Sequence, residues 1–432
     1  MQLSLTLLEE IAFNNPWLVN AANPVPETVD YQKRIQEKFL MDPEWDRYCI
    51  LIIGPRRAGK TTLGYHLSHT LLHQKRFDNL LYLNCDLQTI RTQLTPTVII
   101  ALLKYYHLQK PILFIDEAQR LENPGLLLKA LIDLHQPIKL IVSGSSQLEM
   151  KSKISESMAG RAIESLVLPP SWFEFQNLMS LNEKLIFGCY PSIIKSQHKE
   201  FVLGELYKQY IEKDIVEILK IDKPHVIEKL ITLIAHSSGQ LVNYQTLAND
   251  CQISIPTVQS YLDKFEKTFV IAKITPFVGN KRTEITQNPK YYFIDNGFRH
   301  YALRNFTALD YRADLGALVE NFVFQELLKF KTQHFLDLTL YFWRTKAKAE
   351  VDFIVYKNED CFLPVEVKYA NFKRPAITKS FRSFLQAYQP KRGVIITRDL
   401  LAQETFENTL VHFIPLELLE KLFIEINMVM SV

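Results

Sequence analysis

A glycine-rich stretch that contains a lysine and a threonine is a candidate for phosphate chemistry. Gly54-x-x-x-x-Gly59-Lys60-Thr61 follows an apolar run over 50–53 and precedes a helical pattern of leucines. Glycines let backbone N–H groups face phosphates, and the N-terminus of the following helix adds partial positive charge. A lysine in this place reaches the β- and γ-phosphates, and a threonine hydroxyl ligates Mg²⁺. The stretch therefore predicts a loop that binds a nucleoside triphosphate. The predicted contacts are Gly54, Pro55, Arg56, Arg57, Ala58, Gly59, Lys60, Thr61 and Thr62.

A second apolar run, PILFIDEAQRL, ends in two adjacent carboxylates, Asp116 and Glu117. Ligands of open α/β sheets bind at the carboxyl ends of strands. We therefore expect Asp116 to complete the Mg²⁺ shell and Glu117 to polarise the attacking water. The run IKLIVSGSS predicts another strand ending at Ser143, which would sense the γ-phosphate or position the water. With apolar runs near 80–84 and 163–168, these segments predict a parallel sheet flanked by helices.

Near the C-terminus, AEVDFIVYKNEDCFLPVEVK carries charges inside the alternation of two apolar strands. If Lys357 and Cys361 flank a three-residue turn, the antiparallel register places Asp352 opposite Glu366. Directly opposed Cβ atoms lie about 4.5–5.5 Å apart, and two carboxylates that close favour a cation between them. Lys368 projects from the same face as Glu366. The hairpin is therefore a candidate metal site, and a surface hairpin with solvated charges is the alternative.

Two upstream segments supply further charges to this region. LGALVENFVFQELLKF predicts a helix in which Glu320 interrupts an apolar neighbourhood. YFWRTKAK, just before the hairpin, contains Arg344, Lys346 and Lys348. Lysine and arginine make most contacts to the nucleic-acid backbone, so these three residues are candidate phosphate contacts.

The middle of the chain predicts a helix-turn-helix with a wing. A helical segment is followed by a shorter one around 244–250, a turn, and a third helix for which Ser254 is a plausible N-cap. Val258, Tyr261, Leu262 and Phe265 recur at helical spacing and predict one buried stripe. Apolar strands follow, with Lys281 and Arg282 near a turn.

The third helix is a weak candidate for reading DNA. Its predicted exposed face combines one acidic residue, two lysines and two neutral polar residues: Gln259, Ser260, Asp263, Lys264 and Lys267. DNA readers usually present more Lys and Arg, because phosphate contacts supply most of the affinity. The pattern favours a domain that packs against its neighbours and transmits their state.

Composition is that of an ordinary globular protein. A length of 432 residues predicts two to four domains, and a net charge of +3 neither demands nor excludes a nucleic-acid partner. Five widely spaced cysteines without a CxxC pair predict a reduced, cytoplasmic setting without a zinc site. We expect neither a signal peptide nor a membrane span, since the N-terminus has no basic leader and no apolar run is long enough.

The segments GPRRAGKTT, LFIDEAQRL, IVSGSS and AGRAIESLVLPPSWFEF resemble a prokaryotic family of AAA+-type P-loop ATPases. Members of that family carry a C-terminal domain of the restriction-endonuclease-like kind. The resemblance extends from about Arg47 onward. It implies that Arg161 lies near a nucleotide, either its own or that of a neighbouring subunit in a homo-oligomer. The alternative for Arg161 is a structural ion pair.

The order Glu320, Asp352, Glu366-x-Lys368 resembles the core of PD-(D/E)XK nucleases, although Val351 stands where a proline often precedes the aspartate. The resemblance implies that Glu320, Asp352 and Glu366 bind one or two Mg²⁺ ions. It also implies that Lys368 positions or activates water and stabilises charge on the phosphate.

These patterns predict an α/β protein with a P-loop AAA+-type domain, a winged-helix domain and a PD-(D/E)XK-like domain. The expected segments are a helical lead-in (1–46), the ATPase core (47–177), a helical lid (178–224), the winged helix (225–300) and the nuclease-like domain (301–432). The expected cofactors are ATP and Mg²⁺. Three functions remain open: an ATPase coupled to a metal-dependent nuclease on DNA or RNA, an ATP-driven switch that binds without cutting, and a DNA-binding regulator.

Overall fold

A computed structural model describes residues 3–20, 24–25, 31–134, 136–145, 158–215, 224–277 and 288–430. Lys281 and Arg282, predicted near the turn of the wing, lie outside these ranges. The chain divides into two compact units. Unit 1 is Met1–Pro170 with Thr332–Phe335, and unit 2 is Ser171–Lys331 with Leu336–Val432. Within the described ranges, no helix is both long and apolar enough to cross a membrane.

Unit 1 contains a five-stranded sheet of the order β2-β3-β4-β1-β5, in which all neighbouring strands are parallel. The predicted parallel α/β arrangement is thereby confirmed for this unit. β1, β3 and β4 are buried along their whole length, as expected for parallel strands covered by helices on both faces. The strands are β1 Cys49–Ile53, β2 Asn79–Asn84, β3 Pro111–Asp116, β4 Lys139–Gly144 and β5 Ala162–Leu166.

The helices of unit 1 include the predicted one after the glycine-rich loop, which begins at Lys60. They are α1 Leu5–Asn14, α2 Pro16–Val19, α3 Glu37–Leu40, α4 Lys60–His73, α5 Gln88–Gln93, α6 Pro96–Tyr105 and α7 Pro124–Asp133.

The N-terminal helices cover the edge of the sheet at β2. The side chain of Asn15 donates to the Tyr82 carbonyl at 2.9 Å and accepts from the Tyr82 N–H at 2.7 Å. Trp17 Nε1 donates to the Leu80 carbonyl at 2.7 Å. These side chains occupy backbone groups that an open edge strand would otherwise present. The lead-in is therefore an integral part of unit 1.

Unit 2 contains an eight-stranded sheet of the order β12-β13-β11-β10-β9-β8-β6-β7. β6 pairs with β7 in antiparallel fashion and with β8 in parallel fashion. The strands predicted for the wing and those of the C-terminal region thus form one sheet, so the expected boundary at 300/301 does not separate two sheets. The strands are β6 Ile271–Pro276, β7 Lys290–Phe293, β8 Thr339–Arg344, β9 Glu350–Asn358, β10 Cys361–Val367, β11 Arg392–Thr397, β12 Ala402–Phe406 and β13 Thr409–Pro415.

The helices of unit 2 precede the sheet, connect its strands and close the chain. They are α8 Trp172–Phe175, α9 Leu181–Phe187, α10 Pro191–Ile194, α11 Lys199–Lys208, α12 Pro224–His236, α13 Tyr244–Cys251, α14 Ile255–Lys267, α15 Asn296–Leu303, α16 Leu315–Gln333, α17 Lys379–Tyr388 and α18 Glu420–Met430. A π-helical segment, Gln209–Ile215, follows α11.

The predicted helix-turn-helix corresponds to α13 and α14. Ser254 caps α14, because its hydroxyl accepts from the Thr257 N–H at 3.3 Å. Val258, Leu262 and Phe265 are buried, whereas Tyr261 is only partly covered. On the exposed face, Lys267 pairs with Asp263 at 2.7 Å. That pair reduces the positive charge available to a phosphate, and the winged-helix assignment stays a prediction.

The C-terminal hairpin has the predicted register but a different turn. Phe362 pairs with Tyr356 and Val365 with Phe353, which is the register that leads toward Asp352 and Glu366. The expected last pair of Lys357 with Cys361 is wrong, because Cys361 pairs with Asn358 and the register shifts between Cys361 and Phe362. A two-residue turn with an adjacent bulge thus replaces the three-residue turn.

Candidate functional site

The glycine-rich loop connects β1 to α4 and depends on two glycines. A Cβ atom on Gly54 would lie 2.0 Å from the Val167 carbonyl oxygen, so only glycine fits there. Gly59 has φ of +95°, a left-handed conformation that favours glycine. Lys60 is 5% exposed, and its ammonium donates to the Pro55 carbonyl at 2.9 Å. The lysine therefore lies across the loop, where the sequence predicts the phosphates.

Asp116 is the centre of the polar contacts beside this loop. Its carboxylate accepts from the Thr61 hydroxyl at 2.9 Å, from the Tyr82 hydroxyl at 2.9 Å, and from the Ser143 hydroxyl. Burial raises the pKa of Asp116, the neighbouring Glu117 adds to that shift, and the three hydroxyls counteract it. The structure thus brings together the predicted Thr61, Asp116 and Ser143.

Glu117 follows directly and has a left-handed backbone, with φ of +54°. Its N–H donates to Ser143 Oγ at 3.1 Å, so Ser143 bridges Asp116 and Glu117. Gln119 Nε2 donates to the Glu117 carboxylate at 2.5 Å and to Ser145 Oγ at 2.8 Å. These contacts orient the predicted base.

The residues around these carboxylates also include Tyr82, Gln119 and Ser145, none of which was predicted from the sequence. The available signal was the spacing in the sequence. Gln119 follows Glu117 by two residues, and Ser145 follows Ser143 by two residues. Tyr82 gave none, because one aromatic residue in an apolar strand is ordinary core.

The donors at this site suit a magnesium ion. Mg²⁺ prefers oxygen ligands and binds through one or two carboxylates or hydroxyls together with phosphates. The Thr61 hydroxyl and the Asp116 carboxylate provide such oxygens at the end of β3, directly beside the loop. The residues present therefore fit the ion that the sequence predicts.

The remaining predicted nucleotide contacts are unequally placed. Arg57 and Thr62 are exposed on the loop and at the start of α4, Arg56 is partly buried, and Ala58 is fully buried. Arg161 precedes β5, and its neighbour Ala162 pairs with Cys49 at the start of β1. Because the loop follows the other end of β1, Arg161 lies at the opposite edge of the sheet. There its guanidinium pairs with Asp133 at 3.5 Å. The structure does not bring Arg161 to the phosphate loop of its own chain.

In unit 2, the predicted C-terminal residues meet at one edge of the eight-stranded sheet. The pairings place the ends of β6, β8 and β10 beside the starts of β7 and β9. Glu350 and Asp352 lie at the start of β9, and Glu366 is the next-to-last residue of β10. Lys290 begins β7 at the same edge and was not among the predicted site residues.

Lys290 places a buried cation among these carboxylates. Its side chain is 1% exposed, and its ammonium lies 2.5 Å from Glu350 Oε1 and 3.6 Å from Glu320 Oε1. Glu320 also accepts from the Tyr292 hydroxyl at 2.6 Å, and Glu350 from Arg344. Burial opposes the charge of Lys290, but Glu320, Glu350 and Asp352 outweigh burial and raise its pKa. Lys290 therefore remains an ammonium ion.

Asp352 and Glu366 also have partners within the chain. The Val367 N–H donates to Asp352 Oδ2 at 2.7 Å. The Thr378 hydroxyl lies 2.9 and 3.0 Å from the two oxygens of Glu366, and Lys368 lies 3.1 Å from Glu366. Thr378 was not predicted; it also caps α17.

The pKa values in this cluster follow from burial and from the two lysines. Burial raises the pKa of Glu320 to about 7, and the Asp352 charge adds to that shift. Burial also raises the pKa of Asp352 and of Glu366, against the attraction of Lys290 and Lys368. Burial acts to lower the pKa of Lys368, but Asp352 and Glu366 raise it overall. A protonated Lys368 can stabilise negative charge but cannot take a proton from water.

The contacts in this cluster do not favour a metal centre. Among the residues that the structure describes, no group of three or more His, Cys, Asp or Glu side chains is arranged to hold a metal ion. Glu320, Asp352 and Glu366 instead accept hydrogen bonds or ion pairs from Lys290, Tyr292, Val367, Lys368 and Thr378. Their metal role stays a prediction. Of the predicted backbone-phosphate contacts, Arg344 pairs with Glu350, whereas Lys346 and Lys348 are exposed.

Comparison with known proteins assigns a domain to each third of the chain. Residues 46–176 match an AAA domain, and this segment includes the phosphate loop, Asp116, Glu117 and Ser143. Residues 179–309 and 315–419 match two domains of unknown function, DUF8612 and DUF4143. The first match and the parallel sheet support a P-loop ATPase domain of the AAA type in unit 1. The winged-helix and nuclease-like assignments stay predictions.

Uncharacterized proteins from two bacteria align with most of this chain. An uncharacterized protein of Mycobacterium tuberculosis is 27% identical over 80% of this chain and 76% of its own. An uncharacterized protein of Haemophilus influenzae is 24% identical over 80% of this chain and 88% of its own. Among solved structures, the Thermotoga maritima RuvB Holliday junction branch migration motor is 18% identical over 60% of this chain and 97% of its own, with a TM-score of 0.31.

Proposed function

We propose that residues 46–176 bind ATP with Mg²⁺ and hydrolyse it. The observation that carries this proposal is the set of hydrogen bonds around Asp116 beside the glycine-rich loop. Thr61, on the loop side, donates to Asp116, and Ser143 bridges Asp116 to the Glu117 backbone. Asp116, which would hold the ion, thus lies beside Glu117, the candidate base, and Ser143, the candidate sensor.

Each residue has a distinct role in this reaction. Lys60 neutralises the β- and γ-phosphates, and Thr61 with Asp116 would hold the ion. Mg²⁺ held by these two residues would neutralise the negative charge that develops on the phosphate oxygens. Glu117, oriented by Gln119, polarises the attacking water. Ser143 links the ion-holding carboxylate to the base and transmits a displacement of one to the other.

ATP binding is tested by Lys60→Ala, with Lys104→Ala, an exposed lysine at the end of α6, as the matched control. We expect Lys60→Ala to lose ATP affinity in calorimetry while its melting temperature stays close to that of the parent. We expect Lys104→Ala to bind as the parent does. Equal affinity of Lys60→Ala and the parent would remove the phosphate-binding role of Lys60.

Hydrolysis is tested by Glu117→Gln, which keeps the shape of the side chain and removes its charge. A positioned general base contributes about 10²–10⁴-fold to the rate. We expect this variant to bind ATP but to release phosphate more slowly by about that factor. Turnover at the parental rate would assign the base to another residue.

A second candidate function is action on nucleic acid by the edge of the sheet that carries Lys368. Lys368 is 44% exposed beside the buried Glu366, and Lys346 and Lys348 are also exposed. Cleavage would need a metal at Asp352 and Glu366. Asp352 and Glu366 already accept hydrogen bonds or ion pairs from Val367, Thr378 and Lys368, which favours the alternative, an ATP-driven switch or scaffold that binds DNA, RNA or protein without cutting.

Cleavage and binding are separated by one set of assays. The protein is incubated with single- and double-stranded DNA and RNA, with Mg²⁺ or Mn²⁺, and with or without ATP. We expect binding that weakens in the Lys346→Ala/Lys348→Ala double variant, without cleavage products. Cleavage by the parent that is lost in Lys368→Ala would establish the nuclease instead.

A further inference from the structure

The segment before the AAA match contains a buried arginine that contacts the phosphate loop. Arg34 is 5% exposed and is held in place through Glu37, which is 2% exposed. Glu37 Oε1 accepts from the Arg34 N–H at 2.6 Å, and Glu37 Oε2 lies 3.2 Å from His66 Nε2 on α4. The segment that carries Arg34 is therefore attached to the helix that follows the loop.

The guanidinium of Arg34 donates to two backbone carbonyls. One nitrogen lies 3.2 Å from the oxygen of Ala58, inside the glycine-rich loop. Another lies 2.8 Å from the oxygen of Leu168, directly after the residue whose carbonyl approaches Gly54. The planar fork of an arginine can hold two acceptors in fixed directions, which a lysine cannot do. Arg34 thus links the phosphate loop to the chain that follows β5.

The contact with Ala58 fixes the direction of a neighbouring donor. The carbonyl of Ala58 and the N–H of Gly59 belong to one planar trans peptide, so they point in opposite directions. A carbonyl held toward Arg34 therefore turns the Gly59 N–H away from Arg34. Phosphate loops bind nucleotides through such backbone N–H groups. Gly59 has a left-handed conformation, and glycine accepts more backbone conformations than other residues do. A side-chain contact with the preceding carbonyl therefore helps to hold this peptide in a single orientation.

We propose that Arg34 is a positioning residue for nucleotide binding, which orients the Ala58–Gly59 peptide so that its N–H faces the phosphates. This inference rests on the proposed binding of ATP. It assigns a role in the nucleotide site to the N-terminal lead-in, which lies outside the residues of the AAA match.

The test uses the full chain with Arg34→Met, Arg34→Lys and the neighbouring exposed Lys33→Met as a control. We expect Arg34→Met to weaken ATP binding about tenfold or more in calorimetry, as for the loss of a charge-assisted hydrogen bond. Arg34→Lys should be intermediate, because one ammonium replaces the fork. In phosphate release, KM should rise more than kcat falls, since Arg34 does not contact the reacting atoms. Lys33→Met should match the parent.

Chemical rescue separates positioning from a general loss of stability. Millimolar guanidinium ion should restore ATP affinity to Arg34→Ala and should not restore it to Lys60→Ala. If Arg34→Met is unstable, parental affinity in Arg34→Lys overturns the inference. The inference is also overturned if Arg34→Met binds ATP with the parental affinity. It is overturned as well if guanidinium ion does not restore the ATP affinity of Arg34→Ala. A parent chain that binds no ATP overturns the proposed function itself, and this inference with it.

Discussion

At the scale of single residues, the C-terminal cluster contains two lysines in different surroundings. Lys290 is 1% exposed and lies between Glu320 and Glu350. Lys368 is 44% exposed and pairs with the buried Glu366. Two carboxylates held together favour a nearby cation, and Lys290 supplies one from within the chain. Removal of the Lys290 ammonium should leave the repulsion between the carboxylates without a cation that offsets it.

We therefore predict that Lys290→Met lowers stability and creates a response to divalent cations. Breaking a buried ion pair by removing one partner costs about 3–5 kcal/mol. Without nucleotide, the melting temperature of the variant should fall well below that of the parent and should rise with millimolar Mn²⁺ more than the parent's does. Differential scanning fluorimetry measures both effects.

Lys346→Met, which removes an exposed lysine of the same region, is the matched control. It should melt as the parent does and gain no response to Mn²⁺. A parent that responds to Mn²⁺ more strongly than Lys290→Met would contradict this prediction. That result would support the metal site expected from the sequence, and Asp352→Asn should then abolish the parental response.

At the scale of elements, the packing of α4 on β3 sets the geometry of the nucleotide site. α4 carries Lys60 and Thr61 at its start, and β3 ends in Asp116. The two elements approach closely at Gly64, where a Cβ atom would lie 2.3 Å from the ring of Phe114. Phe114 is fully buried and lies two residues before Asp116. A side chain at position 64 must therefore displace the ring of Phe114, the helix or the strand.

We predict that Gly64→Ala destabilises unit 1 and weakens ATP binding. Overpacking of a buried contact costs about 1–3 kcal/mol, and the displacement alters the spacing between Thr61 and Asp116. Urea unfolding and calorimetry with ATP measure the two losses.

Gly316→Ala is the matched control, because Gly316 is also helical and a Cβ atom there would have open space. Alanine is the better helix former, so this variant should be as stable as the parent or more stable by up to about 1 kcal/mol. Gly64→Ala with parental stability and ATP affinity would show that the contact between α4 and Phe114 adjusts without cost.

At the scale of the whole molecule, Arg161 raises the question of assembly. It lies at the edge of the sheet opposite the phosphate loop and is 39% exposed beside Asp133. A cation in that place is too far from the nucleotide of its own chain to contact it. A role at a nucleotide therefore requires a second copy of the chain.

We predict that ATP drives self-association through Arg161. The Glu117→Gln variant, which retains ATP, should form a larger species in light scattering when ATP and Mg²⁺ are present. Adding Arg161→Ala should return it to the size seen without nucleotide. Adding Lys129→Ala, an exposed residue of α7, should leave the assembly unchanged. A Glu117→Gln variant that stays monomeric with bound ATP would restrict Arg161 to its ion pair with Asp133.

The sequence by itself determined the features that depend on local spacing. The glycine-rich loop, the strand ending in Asp116, the cap at Ser254 and the hairpin register lie where the sequence predicts them. The strand predicted to end at Ser143 ends one residue later, at Gly144. Such features follow from alternation, helical periodicity and backbone conformation within about ten residues. The prediction of the hairpin turn was wrong, because a bulge next to a turn changes the pairing of the strands without changing the alternation of apolar and polar residues.

Only the tertiary structure decided which distant residues share a site. Lys290 meets Glu350 because β7, β6, β8 and β9 are neighbours in one sheet, and that order is not encoded in any single segment. It also meets Glu320, which lies on α16. Arg34 reaches Ala58 and Leu168 by the same kind of long-range packing. Arg161 matched a motif, yet strand direction places it away from the loop. Hydrophobic patterns show that a segment is buried, but they do not specify its neighbours, because apolar burial has no directional preference.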